Sequence, residues 1–152
     1  MKTSFTQRLA ALLFSILAWQ SFNSKAFADE TPKKVKVNLV VSGRPIAKNE
    51  FLNRQDNEFS LSVQPTDETE KKELVVRDFE IALVRGGKKV ANQVVIGSGS
   101  IKNLTTLAKN EDVYVIEIKE VFEKTPSGAL VPYAQGRLIL NYLFYDFDIP
   151  KK

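Results

Sequence analysis

Apolar and polar residues alternate with a period of two along much of the chain. In Val35 to Val41 (VKVNLVV), Val35, Val37, Leu39 and Val41 share one face, against Lys36 and Asn38. Phe59, Leu61 and Val63 alternate with Ser60, Ser62 and Gln64 until Pro65 stops the run. A period of two rich in β-branched residues is the pattern of a half-buried strand. Leu74 to Val84 (LVVRDFEIALV) predicts a further strand, with Phe79, Ile81 and Leu83 on one side and Glu80 and Ala82 on the other. Lys89 to Ile96 predicts its hairpin partner, because Gly86-Gly87 between the two runs accepts the positive φ that tight two-residue turns demand. Val113 to Phe122 and a last strand or strand pair from Ala129 to Ile149 complete the set, the latter bent at Pro132 or Gly136. Pro132 cannot donate to a ladder, which places it at a sheet edge or a strand start.

Between these runs lie breakers. Ser42-Gly43-Arg44-Pro45 ends the first strand, and residues 47–58 read as a loop or short helical turn around Phe51 and Leu52. Residues 65–73 (PTDETEKKE) form a solvated connection, and Lys124 to Gly128 (KTPSG) a turn. After Gly97-Ser98-Gly99-Ser100, the spacing of Ile101, Leu104 and Leu107 predicts one or two helical turns with a serine N-cap, closed by Asn110-Glu111-Asp112. Strands that do not alternate with long helices exclude a parallel α/β fold. The expectation is all-β: an antiparallel β-sandwich, immunoglobulin-like or similar, of six to seven strands with one short helix.

The first 28 residues break this pattern. Lys2 and Arg8 precede an apolar run, Leu9–Trp19, and a polar stretch then ends in Ala26-Phe27-Ala28. This is the order of a cleavable signal peptide, cut after Ala28. The run is about half of the ~20 apolar residues that a spanning helix needs, so no stable membrane insertion is expected after cleavage. Absence of cysteine excludes a lipid anchor on that residue. The expected product is a single domain, residues 29–152, that is periplasmic or secreted.

Export changes the charge. The chain carries 22 basic and 18 acidic residues. Lys2, Arg8 and Lys25 leave with the signal and no acidic residue does, so the remainder is close to neutral at +1. That balance argues against nucleic acid as a partner. Histidine and cysteine are absent throughout, and the single tryptophan and methionine lie in the leader. Thiol nucleophiles, serine–histidine dyads and zinc sites built on thiolate or imidazole are therefore excluded. No cofactor or metal is expected, and no enzyme.

Candidate chemistry is sparse. The glycine-rich GSGS at 97–100 lacks the lysine and hydroxyl residue of a phosphate loop and reads as an ordinary turn. The cationic hairpin tip, Arg85, Lys88 and Lys89, suits an acidic partner or anionic lipid head groups, or serves only solubility. Asp78, Glu80, Glu117, Glu120, Asp146 and Asp148 contain the carboxylates a glycosidase would need, yet most alternate with apolar residues on exposed strand faces. Asp67, Glu68 and Glu70 lack the spacing of a calcium loop. The run Leu138 to Ile149 (LILNYLFYDFDI) is apolar on both faces. Leu138, Leu140, Tyr142 and Phe144 lie on one, and Ile139, Leu143, Tyr145, Phe147 and Ile149 on the other. Such a strip is either a doubly covered strand or a surface that meets a partner.

The segments VVRDFEIALVRGGKKV (75–90), LTTLAKNEDVYVIEIKEVFEKTPSGALV (104–131) and RLILNYLF (137–144) occur in an order that resembles the C-terminal domain of the GldM/PorM family of Bacteroidetes gliding motility and type IX secretion. The resemblance covers roughly residues 35–145. It implies a non-catalytic periplasmic interaction module that contacts a protein partner in the cell envelope, and it transfers no catalytic residue. Here the turn before the last strand is longer, the tail YDFDIPKK runs on, and no rod domains or transmembrane helix are present, so force transmission is not implied. The residues expected to meet a partner, or a second copy of the chain, are Arg85, Lys88, Lys89, Tyr142, Tyr145 and Phe147. The alternative is a small-ligand or glycan-binding sandwich, which predicts a concave site lined by several of Tyr114, Tyr133 and Tyr142.

Overall fold

The computed structural model describes residues 35–147. The signal peptide expected over residues 1–28, the lead-in to residue 34, and Asp148 and Ile149 lie outside the described residues. Two antiparallel sheets hold the strands β1 (Val35–Val41), β2 (Arg44–Pro45), β3 (Glu58–Pro65), β4 (Leu74–Val75), β5 (Asp78–Arg85), β6 (Lys88–Ile96), β7 (Ser98–Ser100), β8 (Val113–Lys124) and β9 (Leu130–Leu143), with one helix, α1 (Lys102–Leu107). The first sheet runs β2-β1-β3-β7; the second runs β4-β8-β5-β6, with β9 on the other side of β8. The all-β antiparallel sandwich is therefore the fold.

Alternation explains the packing. Leu39 and Val41 of β1 and Phe59 and Val63 of β3 are buried on the inner face of the first sheet. Phe79, Ile81, Leu83, Tyr114, Ile116 and Ile118 face them from the second and belong to one apolar cluster. Aromatic rings bridge the layers: Phe59 meets Tyr114 edge-on at 6.1 Å, and Tyr114 meets Phe144 at 6.0 Å. Edge-to-face pairs of this kind add to the area term because the positive ring edge meets a negative face.

The Gly-Gly hairpin forms as expected, with Arg85 opposite Lys88 and φ of +54° and +77° at Gly86 and Gly87. β9 is one strand of 14 residues, and its ladder to β8 shifts register between Pro132 and Ala134 and again between Gln135 and Leu138, across Gly136. Pro132 does sit on an edge strand, since β9 pairs only with β8.

Three local expectations need correction. The single strand over Leu74–Val84 is opened in its middle. Val75 opposite Phe122 and Glu80 opposite Glu117 belong to one register, but the ladder parts around Val76-Arg77. There the Arg77 carbonyl accepts from Gly97 N–H at 2.7 Å, continuing the β5–β6 register on the opposite side. The GSGS segment is not simply a turn: Ser98–Ser100 pairs with β3 in the other sheet, Phe59 opposite Gly99. Finally, the helix has Ile101 rather than a serine at its N-cap. Its buried residues are Ile101, Leu104, Thr105 and Ala108 while Leu107 faces solvent, so the covered stripe follows the 3.6-residue period instead of a repeat of three.

Candidate functional site

The residues singled out from the sequence do not form one site. At the hairpin tip Arg85 is an internal tie: its Nε and Nη2 donate to Asp112 Oδ1 and Oδ2 at 2.8 and 2.7 Å, and Nη2 also donates to the Leu107 carbonyl. Lys89 pairs with Glu80 at 3.1 Å, and that ammonium holds the Glu80 carboxyl below its ordinary range. Lys88 is exposed. Tyr142 is 3% exposed and faces the core, which removes it from any surface strip. Tyr114 is buried with it, and Tyr133 donates from its hydroxyl to Glu70. Tyr114, Tyr133 and Tyr142 all belong to the buried apolar cluster.

Several of the acidic residues are held by internal partners. Asp78 pairs with Arg77, Glu117 with Arg137, and Asp146 with Arg54. Asp67 accepts from the backbone and hydroxyl of Thr69. Among the described residues no group of three or more acidic side chains could hold a metal ion.

Tyr145 and Phe147 do reach the surface, and a residue from a distant loop joins them. Leu52 donates from its N–H to the Leu143 carbonyl at 2.9 Å and accepts from Tyr145 N–H at 2.8 Å, a parallel bridge that buries its own side chain beside Phe144. Backbone alternation then turns the preceding Phe51 outward. Ring centroids lie 6.0 Å apart for Phe51–Tyr145, 4.8 Å for Tyr145–Phe147 and 6.5 Å for Phe51–Phe147. Phe51 is 46% and Phe147 76% exposed. Single exposed apolar residues are commonplace, but three aromatic rings in mutual contact at the surface are not.

A polar pocket adjoins this cluster. Residues 53–57 form a knitted turn: Asn53 N–H donates to Asp56 Oδ2, Gln55 N–H to Asn53 Oδ1, and Asn57 Nδ2 to the carbonyls of Arg54 and Gln55. Such side-chain-to-backbone bonds fix a turn without regular structure. They aim Arg54 at the buried Asp146, with Nε to Oδ2 at 2.8 Å. Asp146 is itself held from behind: its N–H donates to Asn110 Oδ1 at 2.7 Å and its carbonyl accepts from Asn110 Nδ2 at 3.2 Å. Asn53, Arg54, Gln55, Asp146 and Phe147 enclose a depression of about 280 Å³.

The chain matches no family model, no curated protein and no solved structure. Its site must be read from its own chemistry.

Sequence reasoning found Tyr145 and Phe147 through the doubly apolar C-terminal run. It passed over Phe51, Arg54 and Asn110. Phe51-Leu52 stood out only as an apolar pair inside a polar loop, and Arg54 and Asn110 carried no signal, because their partner Asp146 lies 92 and 36 residues away.

Proposed function

We propose that this chain is a non-catalytic, exported interaction module that docks a protein partner through the surface formed by Phe51, Tyr145 and Phe147. The carrying observation is that cluster of contacting aromatic rings, two of them broadly exposed, beside a positioned arginine. Tyrosine, phenylalanine and arginine are enriched at the cores of protein interfaces, where large rigid side chains bury much area at little entropic cost. The absence of histidine and cysteine and the internal pairing of the carboxylates support a binding role over a chemical one. The leader at residues 1–28 and the resemblance to the GldM/PorM C-terminal domain favour a partner in the cell envelope, with an accessory role in gliding or type IX secretion.

The test is affinity capture from the native envelope with the wild-type protein and a Phe51→Ser/Phe147→Ser variant. A discrete envelope protein retained by the wild type and lost by the folded variant is the expected result. Equal capture by both proteins would remove this surface from the interaction.

A further inference from the structure

We infer that the depression beside the aromatic cluster captures the C-terminal carboxylate of a partner polypeptide whose last residue is aromatic or bulky and apolar. This rests on the docking role proposed above and specifies what is docked.

The argument begins with which polar atoms are already committed. Asp146 Oδ2 takes the Nε proton of Arg54, Asn53 Oδ1 takes the Gln55 N–H, and Asp56 Oδ2 takes the Asn53 N–H. These acceptors are engaged. The donors are not: among the described residues Arg54 bonds through Nε alone, and the side-chain N–H groups of Asn53 and Gln55 make no hydrogen bond. Arg54 is thus pinned at one nitrogen by a carboxylate, and its side chain remains about half exposed. The complement to such uncommitted N–H donors is an acceptor-only group. A planar guanidinium matches a carboxylate bidentately, with parallel N–H···O bonds, better than it matches any neutral acceptor.

Apolar chemistry sets the other half of the ligand. Phe147 lines the same depression as Arg54, and its ring continues into Tyr145 and Phe51. A carboxylate and a large side chain must therefore reach one small site together. The volume, about 280 Å³, falls just short of the range for small-molecule sites, which begins at roughly 300 Å³. A chain terminus meets that demand directly, because its carboxylate and its last side chain hang from one Cα. Terminal-carboxylate capture by clustered N–H donors is a recurrent mode of peptide recognition.

The test uses the wild-type protein and two forms of one peptide, Gly-Ser-Gly-Ser-Gly-Phe with a free C-terminus and with a C-terminal amide, each labelled at the N-terminus for fluorescence anisotropy. The expected result is saturable binding of the acid, with the amide weaker by about tenfold or more, the scale of a lost charge-assisted pair. Arg54→Gln should bring the two peptides together in affinity, and Arg54→Lys should keep part of the difference, since it retains charge without the fork. Comparing acid with amide on the wild-type protein needs no variant, so a destabilised arginine mutant would not blunt the result. Equal binding of both peptides, or no binding of either at about 1 mM, would overturn the inference. So would envelope-partner capture that depends on Phe51 and Phe147 but is indifferent to Arg54→Gln; that outcome leaves the docking role standing.

Discussion

Arg85 and Asp112, 27 residues apart in the chain, close on each other through two parallel hydrogen bonds of 2.8 and 2.7 Å. Asp112 is 1% exposed and receives a third bond from Lys109 N–H. Its main-chain carbonyl accepts from Phe144 N–H. A cation placed at the hairpin tip thus anchors the β5–β6 turn to the segment leading into β8 and to the end of β9.

Replacing Asp112 by Asn keeps the shape and removes the charge. Losing one partner of a well-buried pair costs about 3–5 kcal/mol, and the partial exposure of Arg85 lowers that here to about 2 kcal/mol. Urea unfolding at neutral pH measures it, and a loss near zero would mean the pair is ornamental.

The same pair gives an acid limb. Burial alone would raise the Asp112 carboxyl, but the Arg85 guanidinium and Lys109 N–H outweigh it and hold the group below its ordinary 3.8. A depressed folded value means that the unfolded chain binds more protons in this range, so stability rises with pH there. The contribution is complete above the unfolded value near 4 and disappears as pH falls through the folded one. Urea midpoints between neutral pH and about pH 3 should fall more steeply for wild type than for Asp112→Asn.

Tyr114 predicts the alkaline side. Its hydroxyl is buried and, among the described residues, has no partner in hydrogen-bond geometry; the adjacent Thr105 hydroxyl gives its own proton to the Ile101 carbonyl, and its influence offsets only part of the burial. Burial pushes the phenol up to about 12, helped by the nearby carboxylates of Asp112 and Asp56. A raised folded value gives stability that is complete below pH ~10 and is lost as pH climbs through the folded one. Tyr114→Phe should remove part of that alkaline loss. At neutral pH it should match or exceed wild-type stability by up to about 1 kcal/mol, because deleting an unpaired buried hydroxyl removes a desolvation cost. A clear neutral-pH destabilisation would show that the hydroxyl has a partner after all.

Two glycines should respond in opposite ways to alanine. Gly87 holds φ at +77°, so Gly87→Ala should cost about 1–2 kcal/mol by forcing Cβ into the left-handed region. Gly99 has no positive φ, and an added Cβ would meet only the Val95 methyl at 3.5 Å, an ordinary contact. Gly99→Ala should be neutral or slightly stabilising through the unfolded chain. Thermal unfolding of the two variants separates the cases.

The Phe51→Ser/Phe147→Ser variant should unfold within about 1 kcal/mol of wild type, whereas Phe144→Ala should lose about 3–5 kcal/mol. Both changes remove aromatic groups from the same end of the sandwich. Only Phe144 is fully buried.

What was legible in the chain was what is local. Phe59, Leu61 and Val63 announce a strand because neighbouring residues must point to opposite faces, and Gly86-Gly87 announces a turn because few residues tolerate its dihedrals. Non-local placements left no such mark. Nothing near Leu52 says that it will pair with Phe144, and nothing near Asp112 says that Arg85 will find it. The C-terminal run was ambiguous for a different reason. Tyr142 and Phe144 are buried, while Ile139, Leu143 and Phe147 stay exposed on the other side. An apolar residue records affinity for a nonaqueous neighbour, and the neighbour need not belong to the same chain. Asn53, Arg54 and Gln55 looked like loop filler because their value lies in how backbone bonds orient them.

Gly97 stands alone between β6 and β7, with φ at +65°, yet the strands on its two sides belong to different sheets. The layers are therefore stitched by one residue of slack. Neither can slide or peel away without unzipping Ser98–Ser100 from β3 or Val95 and its neighbours from β5. Opening of one layer is obliged to drag on the other, so amide protons of β3 and β6 should exchange through a common, near-global event rather than layer by layer. A domain without a single cysteine gains in this way a mechanical substitute for a crosslink: a seam drawn tight by the main chain itself.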